Sequence, residues 1–245
     1  MKASFDFASH VVLVVGAASG IGRATALSCL QAGATVLAMD INATGLESLP
    51  PQARLLTQVV DISQSDAVRA ALRHWLVRVG RIDGAVLTSA IQRRTLIDET
   101  DDAEWQRHMD VNLTGVFYLL RELFPVMKAQ RSGSIVAFTS GLASNGWAGA
   151  AAYAASKAGI VGLVKSAALE LRPYGVRINA LSPGLVATPV FLDSASSTEL
   201  EMYERSLGVS TPEEVTPTLL YLLSDAAAFI SGNVVERRLI PRTSV

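Results

Sequence analysis

Residues 11–23 read Val11-Val12-Leu13-Val14-Val15-Gly16-Ala17-Ala18-Ser19-Gly20-Ile21-Gly22-Arg23, five aliphatic residues running into three glycines and then into a helix-forming stretch. An unbroken apolar run of this length predicts a strand covered on both faces, because a strand with one wet face would alternate. Glycines lack a Cβ, so the turn behind the strand can be tight and a ligand can approach its backbone. The helix that opens there offers free N–H groups and a partial positive charge, which suits a pyrophosphate. The spacing is G-x-x-x-G-x-G rather than G-x-G-x-x-G, and no Lys-Ser/Thr pair follows as a P-loop needs. A turn that serves only helix packing is the alternative reading of the same glycines.

Outward from this stretch, short apolar runs alternate with longer helical windows, and no Pro/Ser-rich linker or low-complexity segment separates them. Strands are expected at 11–15, 34–39, 54–60, 82–88, 133–139 and 176–181, with a short one near 233–236. Helices are expected at 20–31, 64–79, 101–129, 152–171 and 212–223, each rich in Ala, Leu, Arg and Glu. Right-handed crossovers then favour an α/β fold: a doubly wound, Rossmann-type parallel sheet of about seven strands with helices on both faces, in three α/β/α layers. One domain is expected to span residues 1–245. Sheets of this kind bind ligands beyond the carboxyl ends of their strands.

Composition narrows the function. The chain has a formal net charge of -1, and its basic residues are dispersed, which argues against a nucleic-acid or anionic-membrane surface. Residues 11–15 are too short for a signal segment, and Lys2 is followed closely by Asp6. The apolar stretch 149–171 is interrupted by Lys157, Lys165 and Glu170, so no membrane span is expected. Cys29 is the single cysteine, which permits no intrachain disulfide and suits a reducing cytoplasm. His10, His74 and His108 are scattered without ligand spacing, so no metal site is expected.

Several polar residues stand where such a sheet would place a ligand. Asp40 ends the second strand, where a carboxylate can accept hydrogen bonds from an adenosine ribose, and Asp61 ends the third. Asp40 would repel a 2′-phosphate, and neither Ser19 nor Ile41 is basic, so the cofactor expected is NAD(H) rather than NADP(H). A solvated strand end is the plainer reading of Asp40. Tyr153 and Lys157 stand at i, i+4 on one helix face, where the ammonium is expected to lower the phenol's pKa and make it a general acid/base. Ser140, closing the fifth strand, could hydrogen-bond a substrate oxygen. Asn112 puts an amide inside a helix, where it is expected to reach Lys157 through a water. Taken singly, these four also have structural readings: a packing phenol, a snorkelling charge, a turn hydroxyl and a satisfied core amide.

In combination the motifs resemble a family. Gly16, Gly20 and Gly22, Asp61, Asn112, Ser140, the Y-x-x-x-K of Tyr153 and Lys157, and Asn179-Ala180-Leu181-Ser182-Pro183-Gly184 with Thr188 occur in the order of the single-domain short-chain dehydrogenases/reductases, over nearly the whole chain. The resemblance implies an oxidoreductase interconverting a secondary alcohol and a ketone by hydride transfer, with Tyr153 passing the proton, Lys157 lowering its pKa and holding the nicotinamide ribose, Ser140 positioning substrate and Asn112 maintaining a water relay. It implies cofactor contacts at Gly16, Ser19, Gly20, Ile21 and Gly22, at Asp40 and Ile41, at Asp61 and Ile62, at Ser89 and Ala90, and at Pro183, Gly184, Val186 and Thr188. It also implies a homo-oligomer, tetramer rather than dimer. The alternative is a non-catalytic dinucleotide-binding sensor or scaffold on the same fold.

The departures are as informative. Val15 stands where the family usually has Thr, so the turn is expected to be held more loosely. Thr88-Ser89-Ala90-Ile91 replaces Asn-Asn-Ala-Gly, an unusual cofactor-side loop. Ile230 to Asn233 fits, but the expected Asp-Gly-Gly is missing and Glu236-Arg237-Arg238-Leu239-Ile240-Pro241-Arg242 runs on, so interface or pocket closure should differ. The segment after Thr188 is short for a lid, with Phe191, Leu192, Met202 and Tyr203 as its apolar lining, which predicts a small or partly open pocket. Gln92, Arg93, Trp147 and Phe191 are the candidate substrate contacts, and a substrate carboxylate could pair with Arg93 or its neighbour Arg94.

Overall fold

A computed structural model describes residues 4–240; Lys2, Pro241 and Arg242 lie outside the described residues. Seven strands form one parallel sheet: β1 (Val11–Val15), β2 (Thr35–Asp40), β3 (Leu55–Val59), β4 (Gly84–Leu87), β5 (Gly133–Phe138), β6 (Val176–Ser182) and β7 (Val234–Glu236), in the order β3-β2-β1-β4-β5-β6-β7. β1 is buried along its whole length because both faces are covered. Val11, Leu13 and Val15 pack with α3 (Ser65–Val79), α5 (Gly115–Gln130) and α7 (Ala151–Leu171). Val12 and Val14 pack the opposite way, with α1 (Gly20–Gln31), Leu46 of α2 (Ala43–Glu47) and Leu220 of α10 (Thr216–Leu223).

The helix expected over 101–129 is wound in three parts. After α4 (Asp102–Met109), capped by the Asp101 carboxylate on the Glu104 N–H, the chain makes one wider π turn over Asp110–Thr114 before α5. That turn carries Asn112, which is fully buried. Three short helices border the site without having been expected: α6 (Leu142–Asn145), α8 (Pro189–Ser194) and α9 (Ser197–Ser206). α8 starts with Pro189 behind Thr188, whose hydroxyl accepts from the Phe191 N–H. α9 starts in a capping box between Ser196 and Glu199. No described helix is long and apolar enough to cross a membrane.

Register positions the site. Val15 is level with Met39 on one side and Leu87 on the other. Gly16, Asp40 and Thr88 therefore emerge side by side, at the point where the strand order reverses about β1.

Candidate active site

The glycine turn is held from both neighbouring strands. The Gly16 and Ala17 N–H groups donate to the Met39 carbonyl at 2.8 and 3.1 Å. From the other side the Thr88 hydroxyl donates to the Val15 carbonyl at 2.7 Å, so the looseness expected from Val15 is not found: a hydroxyl from β4's end ties the turn. Gly16 has φ +85°, and a Cβ there would stand 2.8 Å from the Ser89 backbone nitrogen. A Cβ on Gly22 would collide with the Gly16 carbonyl, so the cradle is open only because these residues lack one. This backbone-lined hollow at the start of α1 fits a dinucleotide's pyrophosphate. Asp40 is more than a solvated strand end: its Oδ2 accepts the Ala18 N–H and its Oδ1 the Asn42 N–H, both at 2.9 Å. Asp61 accepts both the N–H and the hydroxyl of Ser63 on Oδ1.

Ser140, Tyr153 and Lys157 meet beyond β5. The Tyr153 phenol is hydrogen-bonded to the Ser140 side chain. Burial pushes the phenol's pKa up, and the Ser140 bond offsets part of that rise. The lowering expected from Lys157 is not found: desolvation sets the direction of the shift. Lys157 Nζ donates to the Phe138 carbonyl at 3.0 Å and lies 5.8 Å from the Tyr153 ring centroid. Burial brings that ammonium down to about 8. The Thr139 hydroxyl donates to the Lys157 carbonyl at 2.8 Å, fastening α7 to the end of β5.

The Asn112 amide is held by protein on both sides: it accepts the Ile91 N–H at 2.8 Å and donates to the Ile91 carbonyl at 2.9 Å and to Ser156 Oγ at 3.1 Å. Ser156 in turn donates to the Tyr153 carbonyl at 2.7 Å.

One cavity of about 1300 Å³, open to solvent on part of its surface, gathers these groups. It is lined by the five residues of the glycine turn named above, by Asp40, Ile41, Asp61, Ile62, Ser89 and Ala90, by Pro183, Gly184, Val186 and Thr188, and by Ser140, Tyr153, Lys157, Gln92, Trp147 and Phe191. Asn112 stands behind the wall, and Arg93 is exposed outside it, its N–H on His108 Nε2 at 3.3 Å. Arg94 lines the cavity instead, paired with Glu199 at 2.8 Å. Of the expected lid residues, Phe191 and Tyr203 face in, whereas Leu192 and Met202 are exposed.

The C-terminal segment closes part of the rim. Glu236, Arg237, Arg238 and Leu239 line the cavity, and the Arg237 guanidinium donates to the Pro183 carbonyl, the Ser210 hydroxyl and the Glu214 carbonyl. The missing glycines signalled that this edge would differ; the clasp itself was not foreseen. Among the described residues no group of three or more His, Cys, Asp and Glu could hold a metal ion. Cys29 is on the buried face of α1, and burial pushes its thiol up to about 12.

Comparison with known proteins agrees over almost the full length. A family model described as enoyl-(acyl carrier protein) reductase matches residues 16–236. The 3-oxoacyl-[acyl-carrier-protein] reductase FabG of Thermotoga maritima is 38% identical over 234 residues, covering 92% of this chain and 94% of that one. Levodione reductase of Leifsonia aquatica is 33% identical over 247 residues, covering 94% and 92%. Cis-4-hydroxycyclohexanecarboxylate dehydrogenase of Sinomonas cyclohexanicum is 34% identical over 237 residues, covering 94% and 95%. A crystal structure of levodione reductase superposes with a TM-score of 0.90 at 32% identity, covering 95% of this chain and 97% of that one. Sequence, fold and coverage agree that the chain belongs to the short-chain dehydrogenase/reductase family, as an oxidoreductase of alcohol and keto groups that uses a nicotinamide dinucleotide.

Proposed function

We propose that the chain is an NAD(H)-dependent enzyme interconverting a secondary alcohol and a ketone, with Tyr153 as general acid/base. The observation that carries this reading is the Tyr153–Ser140 hydrogen bond, in the same cavity as the glycine turn. Two converging hydroxyls suit an oxygen that gains charge as a carbonyl becomes an alcohol. A bound nicotinamide takes or supplies the hydride.

The turn at Gly16 to Gly22 and the carboxylates of Asp40 and Asp61 would hold the pyrophosphate and adenosine, with Ile41 and Ile62 beside them. Ser89, Ala90, Pro183, Gly184, Val186 and Thr188 would hold the nicotinamide half, and Lys157 its ribose. In reduction Tyr153 gives its phenolic proton to the substrate oxygen while Ser140 donates to the same atom. Burial keeps the phenol protonated, the form that step requires. Lys157 carries positive charge near neutrality and favours the phenolate left behind. Asn112 positions these groups by joining the Ile91 loop to α7.

NAD(H) is favoured because Asp40 would face a 2′-phosphate with like charge. Arg23, on α1, cannot offset it: its guanidinium is committed to Gly45 and Ser48. Exposed Trp105 on α4, Phe117 on α5 and Leu169 on α7 support assembly into a homotetramer, which light scattering would test.

Binding of NADH and NADPH, followed by oxidation of a panel of secondary alcohols, tests the reading. Tighter NADH binding and turnover abolished in Tyr153→Phe are expected. Preference for NADPH, or turnover that survives in Tyr153→Phe, would overturn it. Coenzyme binding with no turnover of any alcohol would favour the sensor or scaffold.

A further inference from the structure

The substrate end of the cavity is walled by aromatic rings. Trp147 stands in the loop ahead of α7, Phe191 on α8 and Tyr203 on α9, and all three line the cavity. Tyr203 is the middle ring, its centroid 6.3 Å from Trp147 and 6.0 Å from Phe191, tilted by 59° and 43°. Tyr203 is the buried residue of α9, so this ring packs the helix against the wall. Tilted aromatic faces of this kind pack well against a compact apolar body and offer nothing to a charge of negative sign.

The nearby charges cancel. Arg94 Nη1 bonds Glu199 Oε1 at 2.8 Å, while Glu199 Oε2 accepts the N–H and hydroxyl of Ser196 at 2.8 and 2.9 Å. Those bonds hold the Glu199 carboxyl down at about 2, so the partner of Arg94 stays ionised across the working pH range. The Thr95 N–H, next to Arg94, donates to the Gly149 carbonyl at 2.8 Å, so the ion pair and the Trp147–Tyr203 pair bridge the same two segments. Arg94 Nε is buried and bonds nothing among the described residues. A substrate carboxylate would need that fork, and Glu199 already occupies one arm of it. Elsewhere on the cavity wall Arg237 is bonded to three oxygens and Arg238 pairs with Glu236. Of the arginines on the wall, this leaves Arg107, exposed on α4, to meet an anion.

We infer that the substrate is a ketone or alcohol whose body is an uncharged ring packed against Trp147, Phe191 and Tyr203, and that Glu199 enforces neutrality by cancelling Arg94. This rests on the dehydrogenase reading above. It stands against the alternative of a substrate carboxylate paired with Arg93 or Arg94.

The test compares reduction of cyclohexanone with 4-oxocyclohexanecarboxylate, the same ring with and without a charge. The wild type is expected to favour the neutral ketone by about tenfold in kcat/KM, and Glu199→Gln to shrink that ratio by about tenfold by freeing Arg94. Glutamine can still close the capping box, so α9 should persist. Phe191→Ala should cost cyclohexanone more than acetone. A wild-type preference for the carboxylate, or a ratio unmoved in Glu199→Gln, would overturn the inference and implicate Arg107. Coenzyme binding is measured on the same protein. Binding without reduction of either ring sinks the ring-sized substrate alone, whereas no binding of either coenzyme sinks the dehydrogenase reading and this inference together.

Discussion

The Thr88 side chain and the Val15 backbone form a double tie: the Val15 carbonyl accepts the Thr88 N–H at 2.9 Å and the Thr88 hydroxyl at 2.7 Å. Both lone pairs of that oxygen are thereby used, and the residue just before the glycine turn is fixed to β4. Thr88→Val keeps the shape and the backbone bond but removes the hydroxyl. Loss of one such bond, about 1 kcal/mol, should weaken coenzyme binding by about fivefold and raise the coenzyme KM while leaving kcat nearly intact. Thr88→Ser should restore the affinity. Fluorescence titration of NADH against the three proteins checks this, and equal affinities would refute it.

Asp40 does two things at once, which sets the form of its test. Alanine would remove an acceptor for the Ala18 N–H and so disturb the turn itself. Asparagine keeps an acceptor oxygen and removes the charge. Asp40→Asn should shift preference toward NADPH by about tenfold, the effect of about 1.4 kcal/mol of relieved repulsion, and lower stability by about 1 kcal/mol, because its NH2 cannot accept one of the two N–H groups held by the carboxylate. Steady-state kinetics with both coenzymes would show the shift, and an unchanged ratio would assign Asp40 to the turn alone.

Lys157 should reduce stability near neutrality. Its folded pKa of about 8 lies below the ordinary 10.5, so the folded chain binds that proton less tightly than the unfolded one. The penalty is full below about 8 and fades as pH climbs to 10.5. Lys157→Met should therefore abolish turnover yet raise Tm near neutrality, and its advantage should shrink in alkaline buffer. Calorimetry over a pH series measures this; a variant less stable at neutral pH would contradict it.

Cys29 should be inert in the native state. It is buried, and its thiol is pushed up to about 12. A thiol-specific disulfide reagent should label it only on denaturation, and rapid labelling of the native protein would show that α1 opens readily.

Much of this was legible because it rests on local chemistry. The β1 run declares a doubly covered strand, and glycines at 16, 20 and 22 declare a turn with no room for side chains. The segments around the substrate end were harder. α8 and α9 are held by the caps of Thr188 and Ser196 more than by an apolar face, although the Ser196 to Glu199 spacing was itself a readable helix start. The π turn at Asn112 could not be read, since one wider turn leaves the pattern of apolar residues almost unchanged. Nor could the direction of the Tyr153 shift, because spacing gives the neighbouring cation but burial belongs to the fold. Which of Arg93 and Arg94 faces the cavity could not be read either, since side-chain direction in the loop after β4 depends on ties to His108 and Gly149.

The bonds from Ile91 to Asn112, from Asn112 to Ser156 and from Ser156 to the Tyr153 carbonyl run unbroken from the loop that helps shape the pocket to the turn of helix bearing Tyr153. A loop change that moves Ile91 must strain or break that thread. Engineering this enzyme for new substrates by redesigning that loop would therefore tend to detune its rate, and walls built from α8 and α9, which stand off the thread, are the places where selectivity can drift while the chemistry stays put.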